Sequence, residues 1–294
     1  MEIGEHHLAK RLFLFLNLAF LFFLGTANAY SFRQYTGKDG LSNTVVASVY
    51  QDRNGLMWFG TNDGLNTYDG LKIQNFQTTE EQSYLTGHTI GDIFEAENNV
   101  FWVLTNYGLN RIDHAKQTVK TFEGFDLNVK IATSSTRDIY IAKEDNSISY
   151  YHAGEEAFLK IPVSELVYDA IVGMFIDPDQ VLWLFMEDGN HRCFSIQREG
   201  DEVKLSPQSA FKHQEDILWC FYEEGEIYFV DATLTLYEYS VADKTKYYIQ
   251  DINHLITRNG DISSIIKHSG DFYVGFTNSG LVRIKNMPDH RNQY

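Results

Sequence analysis

The sequence is poor in cysteine and proline, and these shortages limit how the chain can be held together. It has 294 residues, with 2 Cys and 4 Pro. The two cysteines, Cys193 and Cys220, cannot form a disulfide framework or a four-thiolate zinc site, so we expect buried free thiols. With little proline and 21 Gly, turns are predicted to rest on Gly, Asn and Asp. The sequence has neither a Gly-X-Y period nor sustained heptads, which excludes collagen-like and coiled-coil structures.

Positive charge is also scarce. Lys and Arg number 24 against 40 Asp and Glu, which gives a net charge of −16. A chain this negative disfavours DNA, RNA or an anionic membrane surface as the main partner. It suits a neutral, weakly polar or cationic ligand, although a need for solubility would account for the charge equally well.

Long apolar runs are absent except at the N-terminus. There the apolar stretch 12–24 follows two basic residues, and Ala27-Asn28-Ala29 has the small-x-small pattern of a signal-peptidase site. A stretch of 13 residues is shorter than the ~20 needed to span a bilayer. We therefore predict a signal peptide over residues 1–29 and a mature chain over residues 30–294, with an uncleaved N-terminal anchor as the alternative.

What the sequence does contain is a repeat with a period of about 43 residues. Its clearest marker is a large aromatic residue that begins a short strand, and the six copies are Trp58, Trp102, Tyr140, Trp183, Tyr228 and Tyr273. Four short strands per repeat are typical of a β-propeller blade, a small sheet that cannot bury both faces alone. We therefore assign these six aromatic side chains to the packing between blades.

The second turn of each repeat is marked by a residue that tolerates a left-handed backbone. Six positions past the aromatic, the first four repeats have Gly64, Gly108, Asn146 and Gly189. The fifth repeat departs from the rule with Leu234, and the sixth reaches Gly280 one residue late. For the sixth repeat we predict a one-residue bulge near Gly275-Phe276.

The predicted fold class is all-β: a β-propeller of four-stranded antiparallel blades with six repeats. The predicted blades within the domain 30–294 are 41–76, 86–122, 128–161, 167–208, 211–250 and 258–285. The last repeat lacks its own fourth strand after Ile284, which leaves two solutions. Either a strand at Phe32–Tyr35 completes the sixth blade and closes a six-bladed ring, or the chain is an incomplete seven-bladed propeller.

The first repeat carries a dense motif. Its residues are Gly40-Leu41-Ser42-Asn43-x-Val45, then Gln51-Asp52-x-x-Gly55-x-x-Trp58-Phe59-Gly60-Thr61-x-Asp63-Gly64-Leu65-Asn66-x-Tyr68-Asp69-Gly70. This motif resembles the two-component regulator propeller repeat, which builds the periplasmic sensors of Bacteroidetes hybrid two-component system histidine kinases. The similarity is close over residues 32–76, recognisable over 86–113 and 271–284, and weak between them.

This resemblance implies a non-catalytic, periplasmic ligand-sensing domain. In the family the ligand is usually an oligosaccharide, whose detection controls polysaccharide-utilisation genes. The resemblance also implies a parent receptor in the inner membrane, with a kinase and with a second propeller or a dimer partner. The family's first propeller typically has seven blades, so the resemblance favours the incomplete seven-bladed solution and a receptor fragment or truncated gene product.

Other function classes compete with sensing. Two turns, Asp52 to Trp58 and Asp177 to Trp183, are similar to the Asp-box of sialidase-type hydrolases, but in such turns the aspartate caps the backbone and is not a catalyst. A polysaccharide lyase would need a His or Tyr base, and the Gly-x-Ser-x-Gly elbow of serine hydrolases does not occur. The second-ranked interpretation is a protein-interaction or dimerisation propeller, to which adjacent aromatics such as Tyr247-Tyr248 would give an exposed patch.

Ligand contacts are expected on one face of the propeller, where the loops entering first strands lie beside the turns between second and third strands. The polar or aromatic residues at those positions are Asn43, Asn62, Asp63, His88, Asn106, Tyr107, Asp145, Asp188 and Asn278. All are also ordinary turn residues, so we expect only a few to touch a ligand. No catalytic residue, cofactor or metal is predicted, since no His pair in the mature chain has metal-ligand spacing.

Overall fold

The computed structural model describes residues 34–76, 85–97, 99–116, 118–134, 136–163, 170–223, 225–255, 262–276 and 280–285. The predicted signal peptide lies outside these residues. The regular structure is antiparallel β-sheet, with one turn of 3-10 helix at Gly37–Asp39 and described helical residues at 253–255. In the described ranges no helix is long and apolar enough to cross a membrane.

Six sheets follow one another along the chain, and each is built from consecutive strands. Blades one to three comprise β1 Val46–Gln51, β2 Met57–Thr61, β3 Gly64–Tyr68, β4 Ile73–Asn75, β5 Ile90–Glu97, β6 Val100–Thr105, β7 Gly108–Asp113, β8 Thr118–Phe122, β9 Lys130–Thr133, β10 Ile139–Ala142, β11 Ile148–His152 and β12 Ala157–Ile161. Blades four to six comprise β13 Ile171–Ile176, β14 Val181–Met186, β15 Arg192–Glu199, β16 Glu202–Gln208, β17 Ile217–Glu223, β18 Glu226–Asp231, β19 Thr235–Ser240, β20 Thr245–Asp251, β21 Ile262–His268, β22 Asp271–Phe276 and β23 Gly280–Ile284. The sixth sheet has three strands within the described residues and the others have four. The predicted β-propeller fold is confirmed.

The first hairpin of a blade is held by a buried aspartate. In blade one, Asp52 Oδ1 accepts hydrogen bonds from two backbone N–H groups of its own turn, both at 2.9 Å. Its other oxygen, Oδ2, accepts from the indole Nε1–H of Trp58 at 3.1 Å. Blade four repeats this arrangement with Asp177 and Trp183, at 2.9 Å. The prediction that these aspartates cap turns is confirmed, and each cap also satisfies a buried indole N–H.

The hydrophobic core is divided among the spaces between consecutive blades. Trp58 of blade one packs against Phe101 of blade two, with ring centroids 4.2 Å apart. Similar clusters lie between each later pair of neighbours, up to blades five and six. Five of the six marker aromatics are buried in these clusters, whereas Tyr273 of blade six is half-buried. Among the described residues, no such cluster joins blade six to blade one.

A β-bulge recurs in the first strand of five blades. The pairing register shifts between Val46 and Ser48, Ile90 and Asp92, Ile171 and Gly173, Ile217 and Trp219, and Ile262 and Ser264. A register shift does lie beside Gly275-Phe276, where the bulge was predicted, but it is in β21: Ile262 pairs with Phe276 and Ser264 with Gly275. It does not account for the extra residue of the sixth repeat, because β22 and β23 pair without a shift. The extra residue of blade six lies between the paired residues Phe276 and Gly280, whereas in blade one Thr61 pairs with Gly64.

The predicted closing strand does not form where its residues are described. The Tyr35 hydroxyl donates to the Tyr68 hydroxyl at 2.7 Å, and the two rings lie 5.0 Å apart. Tyr35 therefore packs on blade one and not on blade six. A capping box between Thr36 and Asp39 begins the 3-10 turn directly after it, which ends the extended segment. Closure through Phe32–Tyr35 is thus wrong for Tyr35, while Phe32 lies outside the described residues.

Candidate functional site

The loops and turns predicted to share a face meet at one edge of the propeller. Gly64, at the end of the β2–β3 turn, donates its N–H to the carbonyl of His88 in the loop entering β5, at 2.7 Å. The Thr89 hydroxyl donates to the carbonyl of Asn62 at 3.4 Å, and the Thr89 N–H donates to Asn106 Oδ1 at 3.2 Å. The candidates Asn62, His88 and Asn106 are therefore neighbours, brought together from blades one and two.

Three other candidates use their side chains on their own backbone. In Asn43, Asp145 and Asp188, Oδ1 accepts from the N–H two residues further on, at 2.8, 2.9 and 2.8 Å. Hydrogen bonds from Ser147 hold the pKa of Asp145 below its ordinary value. A general acid would need the opposite shift, so Asp145 is a carboxylate fixed in a turn.

The remaining candidates lie at turn tips. The backbone N–H groups of Asp63 and Tyr107 donate to the hydroxyls of Thr61 and Thr105, at 3.1 and 3.3 Å. The Tyr107 side chain is exposed. Asn278 lies outside the described residues.

Two buried asparagines that the sequence analysis did not single out hold this edge together. Asn66 Oδ1 accepts from the Ser42 N–H at 3.0 Å, and its Nδ2 donates to Ser42 Oγ at 2.7 Å. Asn110 forms the same pair of bonds with Thr86, at 3.0 and 3.1 Å. Each asparagine thus joins the loop that enters a first strand to the third strand of the same blade. The available signal was the recurrence of Gly-Leu-Asn at 64–66 and 108–110.

The inner strands of blades two to five surround a central channel with a volume of about 610 Å³. In three blades the residue that follows the bulge lines this channel: Asp92 in β5, Gly173 in β13 and Trp219 in β17. A bulge re-aims the side chain beside it, so the register shifts determine what the channel presents. Strand β9, which pairs without a shift, contributes Lys130 and Thr133.

A second cavity of about 600 Å³ opens beside the channel. It is lined by the loop entering β9 and by the β10–β11 turn, which includes the candidate Asp145. Because Leu127 and Lys130 line both cavities, the two spaces adjoin. We call the part lined by Asp92, Lys130, Thr133 and Trp219 the channel site.

Two opposite charges belong to the channel site. The surrounding channel walls desolvate Asp92 and raise its pKa, although the residue remains exposed to solvent. A hydrogen bond from the Ile93 N–H at 2.8 Å and the charge of Lys130 offset part of that rise. Within the part of the chain that the structure describes, Lys130 has neither a hydrogen-bond acceptor for its ammonium nor an ion-pair partner. Lys130 is half-buried as a residue, and its ammonium group can only donate hydrogen bonds. The site therefore offers an acceptor and a cation that are both available to a ligand.

The two cysteines are not activated nucleophiles. Burial raises the pKa of Cys220, which lines the channel, to about 12, and that of Cys193 to about 11. Since the thiolate is the reactive form, both thiols stay protonated at neutral pH. The described residues also contain no group of three or more side chains placed to hold a metal ion.

A Lys–His–Asp chain lies outside the channel lining, where the loop before β17 meets blade five. His213 Nε2 is 2.8 Å from Asp231 Oδ2, and Lys246 Nζ is 2.8 Å from His213 Nδ1. The ammonium group can only donate, so the imidazole accepts at Nδ1 and donates from Nε2. Although burial alone would raise it, hydrogen bonds from Thr233 and His213 hold the pKa of Asp231 below its ordinary value. His213 and Asp231 are both buried, so these hydrogen bonds anchor the loop before β17.

Comparison with known proteins agrees with the fold and the repeat. The family Two component regulator propeller matches residues 40–63. Histidine kinase P4 of Formosa agariphila is 40% identical over 52 residues, which are 18% of this chain and 4% of the kinase.

Two solved structures are similar over most of this chain. The extracellular domain of a putative hybrid two component system from B. thetaiotaomicron has a TM-score of 0.52 at 16% identity, over 87% of this chain and 42% of that one. PorZ, a surface component of the type-IX secretion system of Porphyromonas gingivalis, has a TM-score of 0.60 at 15% identity, over 87% of this chain and 34% of that one.

This chain thus spans less than half the length of either solved structure and a small part of the kinase. At these identities the structural likenesses show the fold alone, whereas the match in blade one shows the repeat. The chain contains a two component regulator propeller repeat and resembles the propeller sensors of hybrid two-component systems.

Proposed function

We propose that this chain is the ligand-sensing propeller of an exported, periplasmic receptor, and that it recognises an oligosaccharide without cleaving it. The observation that carries this proposal is the channel site, where a free cation, a carboxylate and an aromatic ring from three blades face one cavity. Sugar recognition uses such a mixture, because hydroxyls need acceptors and donors while the ring face packs on aromatic carbon. The regulator propeller repeat in blade one supports a sensory role over a metabolic one.

The proposal that the sugar stays intact rests on the carboxylates. Glycoside hydrolysis uses two carboxyl groups placed about 5–10 Å apart across the scissile bond. Asp92 is the only carboxylate among the described residues that line the channel. One acid with a raised pKa can bind and orient a sugar, but it cannot supply both an acid and a nucleophile or base.

Binding at the channel site would couple blades that otherwise touch only their immediate neighbours. A ligand held by Asp92, Lys130 and Trp219 spans blades two, three and five. It would therefore stabilise one arrangement of the propeller at the expense of others. A second propeller or a dimer partner of the parent receptor would read that change and pass it towards control of polysaccharide-utilisation genes.

A thermal-shift screen of the full-length chain against plant and host oligosaccharides tests this proposal. A ligand that binds only the native state raises the melting temperature, so we expect at least one sugar to do so and to be recovered uncleaved. Recovery of a cleaved sugar would contradict the non-catalytic assignment. A protein that melts cooperatively but responds to no sugar would contradict the carbohydrate assignment.

A protein-interaction propeller is the second candidate, and one observation favours it. Val46 and Val49 on blade one, and Ile266 and Leu281 on blade six, are exposed apolar side chains at the seam between these blades. Exposed apolar patches often mark protein interfaces. If this function is the correct one, Val49→Asp should weaken association with a second copy or a partner, as measured by analytical ultracentrifugation. The same variant should leave sugar-induced thermal shifts unchanged.

A further inference from the structure

We propose that the channel site takes an acidic saccharide, one that carries a carboxylate or sulfate group, and that Lys130 binds this anionic group. The inference rests on the proposed function and adds the ligand class. It runs against the net charge of the whole chain, which by itself suits neutral or cationic ligands. The local arrangement of charge around the channel decides the matter.

Lys130 is the first part of the evidence. The residue is half-buried and lines both cavities, and its ammonium has no acceptor or ion-pair partner within the described chain. Lys130 lines both the channel and the adjoining cavity, so its side chain lies at the channel wall. An ammonium without an acceptor in the protein can form a charge-assisted hydrogen bond with an anionic group of a ligand.

Asp92 sets the second requirement. One of its oxygens accepts the Ile93 N–H at 2.8 Å, and within the described residues its other oxygen has no hydrogen-bond donor. A carboxylate accepts hydrogen bonds and cannot pair with an anion, so the ligand must also bring hydroxyl or N–H donors. A sugar acid meets both needs, since its ring hydroxyls donate while its acidic group accepts.

Trp219 sets the third requirement. It lines the channel and is half-buried, with part of its side chain packed against the core between blades five and six. A held indole ring with an accessible part is a platform for an apolar sugar face. At about 610 Å³, the channel is within the ~300–1,000 Å³ of small-molecule sites, so one acidic sugar ring fits with room for its neighbours.

Gly173 and Cys220 line another part of the channel, where strands β13 and β17 adjoin. A Cβ at Gly173 would approach Cys220 Sγ to 2.1 Å, so any larger residue at position 173 would displace the thiol. Gly173 and Cys220 thus keep this side of the channel free of polar groups that would compete for the ligand. The polar groups that remain are those named for the channel site, together with Tyr222.

Isothermal titration of the full-length chain with matched probes tests the inference. The probes are trigalacturonate, its trimethyl ester, which has the same sugar rings but no negative charge, and a monosulfated neocarrabiose. We expect the acid or the sulfated sugar to bind about tenfold more tightly than the uncharged ester, as one charge-assisted hydrogen bond implies. Preference between these two shows which anion Lys130 accepts.

Three variants locate the effect. Lys130→Gln should abolish the advantage of the charged probe while leaving the melting temperature of the free protein unchanged. Lys72→Gln, an exposed lysine in the β3–β4 turn on the opposite edge, should leave that advantage intact. Asp92→Asn should weaken the binding of trigalacturonate and of its ester to the same extent, because Asp92 accepts hydrogen bonds from sugar hydroxyls that both probes have.

Contrary outcomes separate this inference from the proposed function. Equal binding of acid and ester, or an advantage that survives Lys130→Gln, overturns the acidic-saccharide assignment. If neutral oligosaccharides bind and no charged probe does, the sensing function stands and this inference fails. If no sugar binds at all, both fail.

Discussion

His191 is a histidine buried among aromatic side chains. Its ring stacks on Phe185 with centroids 4.0 Å apart and lies against Phe211 at 4.8 Å. Nδ1 accepts from the Met186 N–H at 3.4 Å, and Nε2 is buried without a hydrogen-bond partner in the described structure. Burial lowers the pKa of His191 to about 3. The folded protein therefore keeps this ring neutral.

We expect His191 to make the stability of the protein fall in mild acid. An unfolded histidine titrates near pH ~6.5, so below that pH the unfolded chain binds a proton that folded His191 refuses until about pH 3. The loss is about 1.4 kcal/mol per pH unit from pH ~6 to ~4. Urea unfolding across this range measures the free energy of unfolding against pH. The slope of this plot should be lower for His191→Phe than for the wild type, by the amount that corresponds to about one bound proton.

The control for this experiment is His268→Phe. His268 is exposed at the end of β21, so its replacement should leave the slope unchanged. A His191→Phe variant with the wild-type slope would mean that the buried ring is not the group whose protonation opposes folding.

Short-range bonds of single residues could be predicted from the sequence, and long-range ones could not. Asp52 and Trp58 are six residues apart, so the Asp-to-Trp spacing of a known turn predicted the cap. Asp92 and Lys130 come from different blades, and they line the same channel only because the first strands of these blades surround it. Lys130 was therefore not among the predicted contacts, while Asp145, on the adjoining cavity, was.

At the level of elements, the second turn of each blade imposes a left-handed backbone on whatever residue occupies it. The φ angle is 116° at Gly64, 58° at Asn146 and 62° at Leu234. The left-handed backbone of Leu234 costs about 1–2 kcal/mol. Its side chain packs against the core between blades five and six, and this packing offsets the cost. From the sequence alone, leucine is an exception at this turn position because it disfavours a left-handed backbone. In the structure its core packing outweighs that preference.

In blade four the same turn needs glycine for space as well as for conformation. A Cβ at Gly189, whose φ is 74°, would lie 2.5 Å from the carbonyl oxygen of His213. Gly225, in the turn after β17, has φ 90° with nothing within 4 Å of such a Cβ. By chemical denaturation we expect Gly225→Ala to lose about 1 kcal/mol and Gly189→Ala about 3 kcal/mol or more.

Because both glycines have positive φ, the difference between the two variants isolates the clash with the backbone. Equal losses would mean that the turn of blade four can move away from the His213 loop. That result would weaken the view that the loop before β17 is held rigidly by His213 and Asp231.

The bulges in the first strands had no marker in the sequence. The residues skipped by the pairing register are Ala47, Gly91, Val172, Leu218 and Ser263. They share neither size nor polarity, so a search for bulge-forming residues would not find them. Since the bulges direct Asp92 and Trp219 to the channel, the composition of the channel site could not be predicted by strict strand alternation.

For the whole molecule, the seam between blade six and blade one differs from the other blade boundaries. Leu65 of β3 is 0% exposed, whereas Leu281, at the matching register position of β23, is 62% exposed. Val49 of β1 is 58% exposed and its counterpart in blade two, Ile93, is 3% exposed. The repeat predicted the blades and the packing between neighbours, but it does not encode how the first and last blades meet.

The seam predicts unequal effects for one substitution at two matching positions. Leu65→Ala should lower the free energy of unfolding by about 2–5 kcal/mol, since it opens a cavity in a buried cluster. Leu281→Ala should change it by no more than about 0.5 kcal/mol, as exposed positions do. Urea denaturation of both variants measures this. A large loss from Leu281→Ala would mean that the seam is packed in solution.

A crystal structure of the full-length chain, soaked with the oligosaccharide that the thermal screen selects, tests most directly whether this propeller is a carbohydrate sensor. We predict an intact sugar in the central channel, with one ring on Trp219 and with Lys130 and Asp92 within hydrogen-bond distance of its polar groups. Sugar bound only on the outer rim of the blades, or present only as a cleavage product, would contradict this prediction.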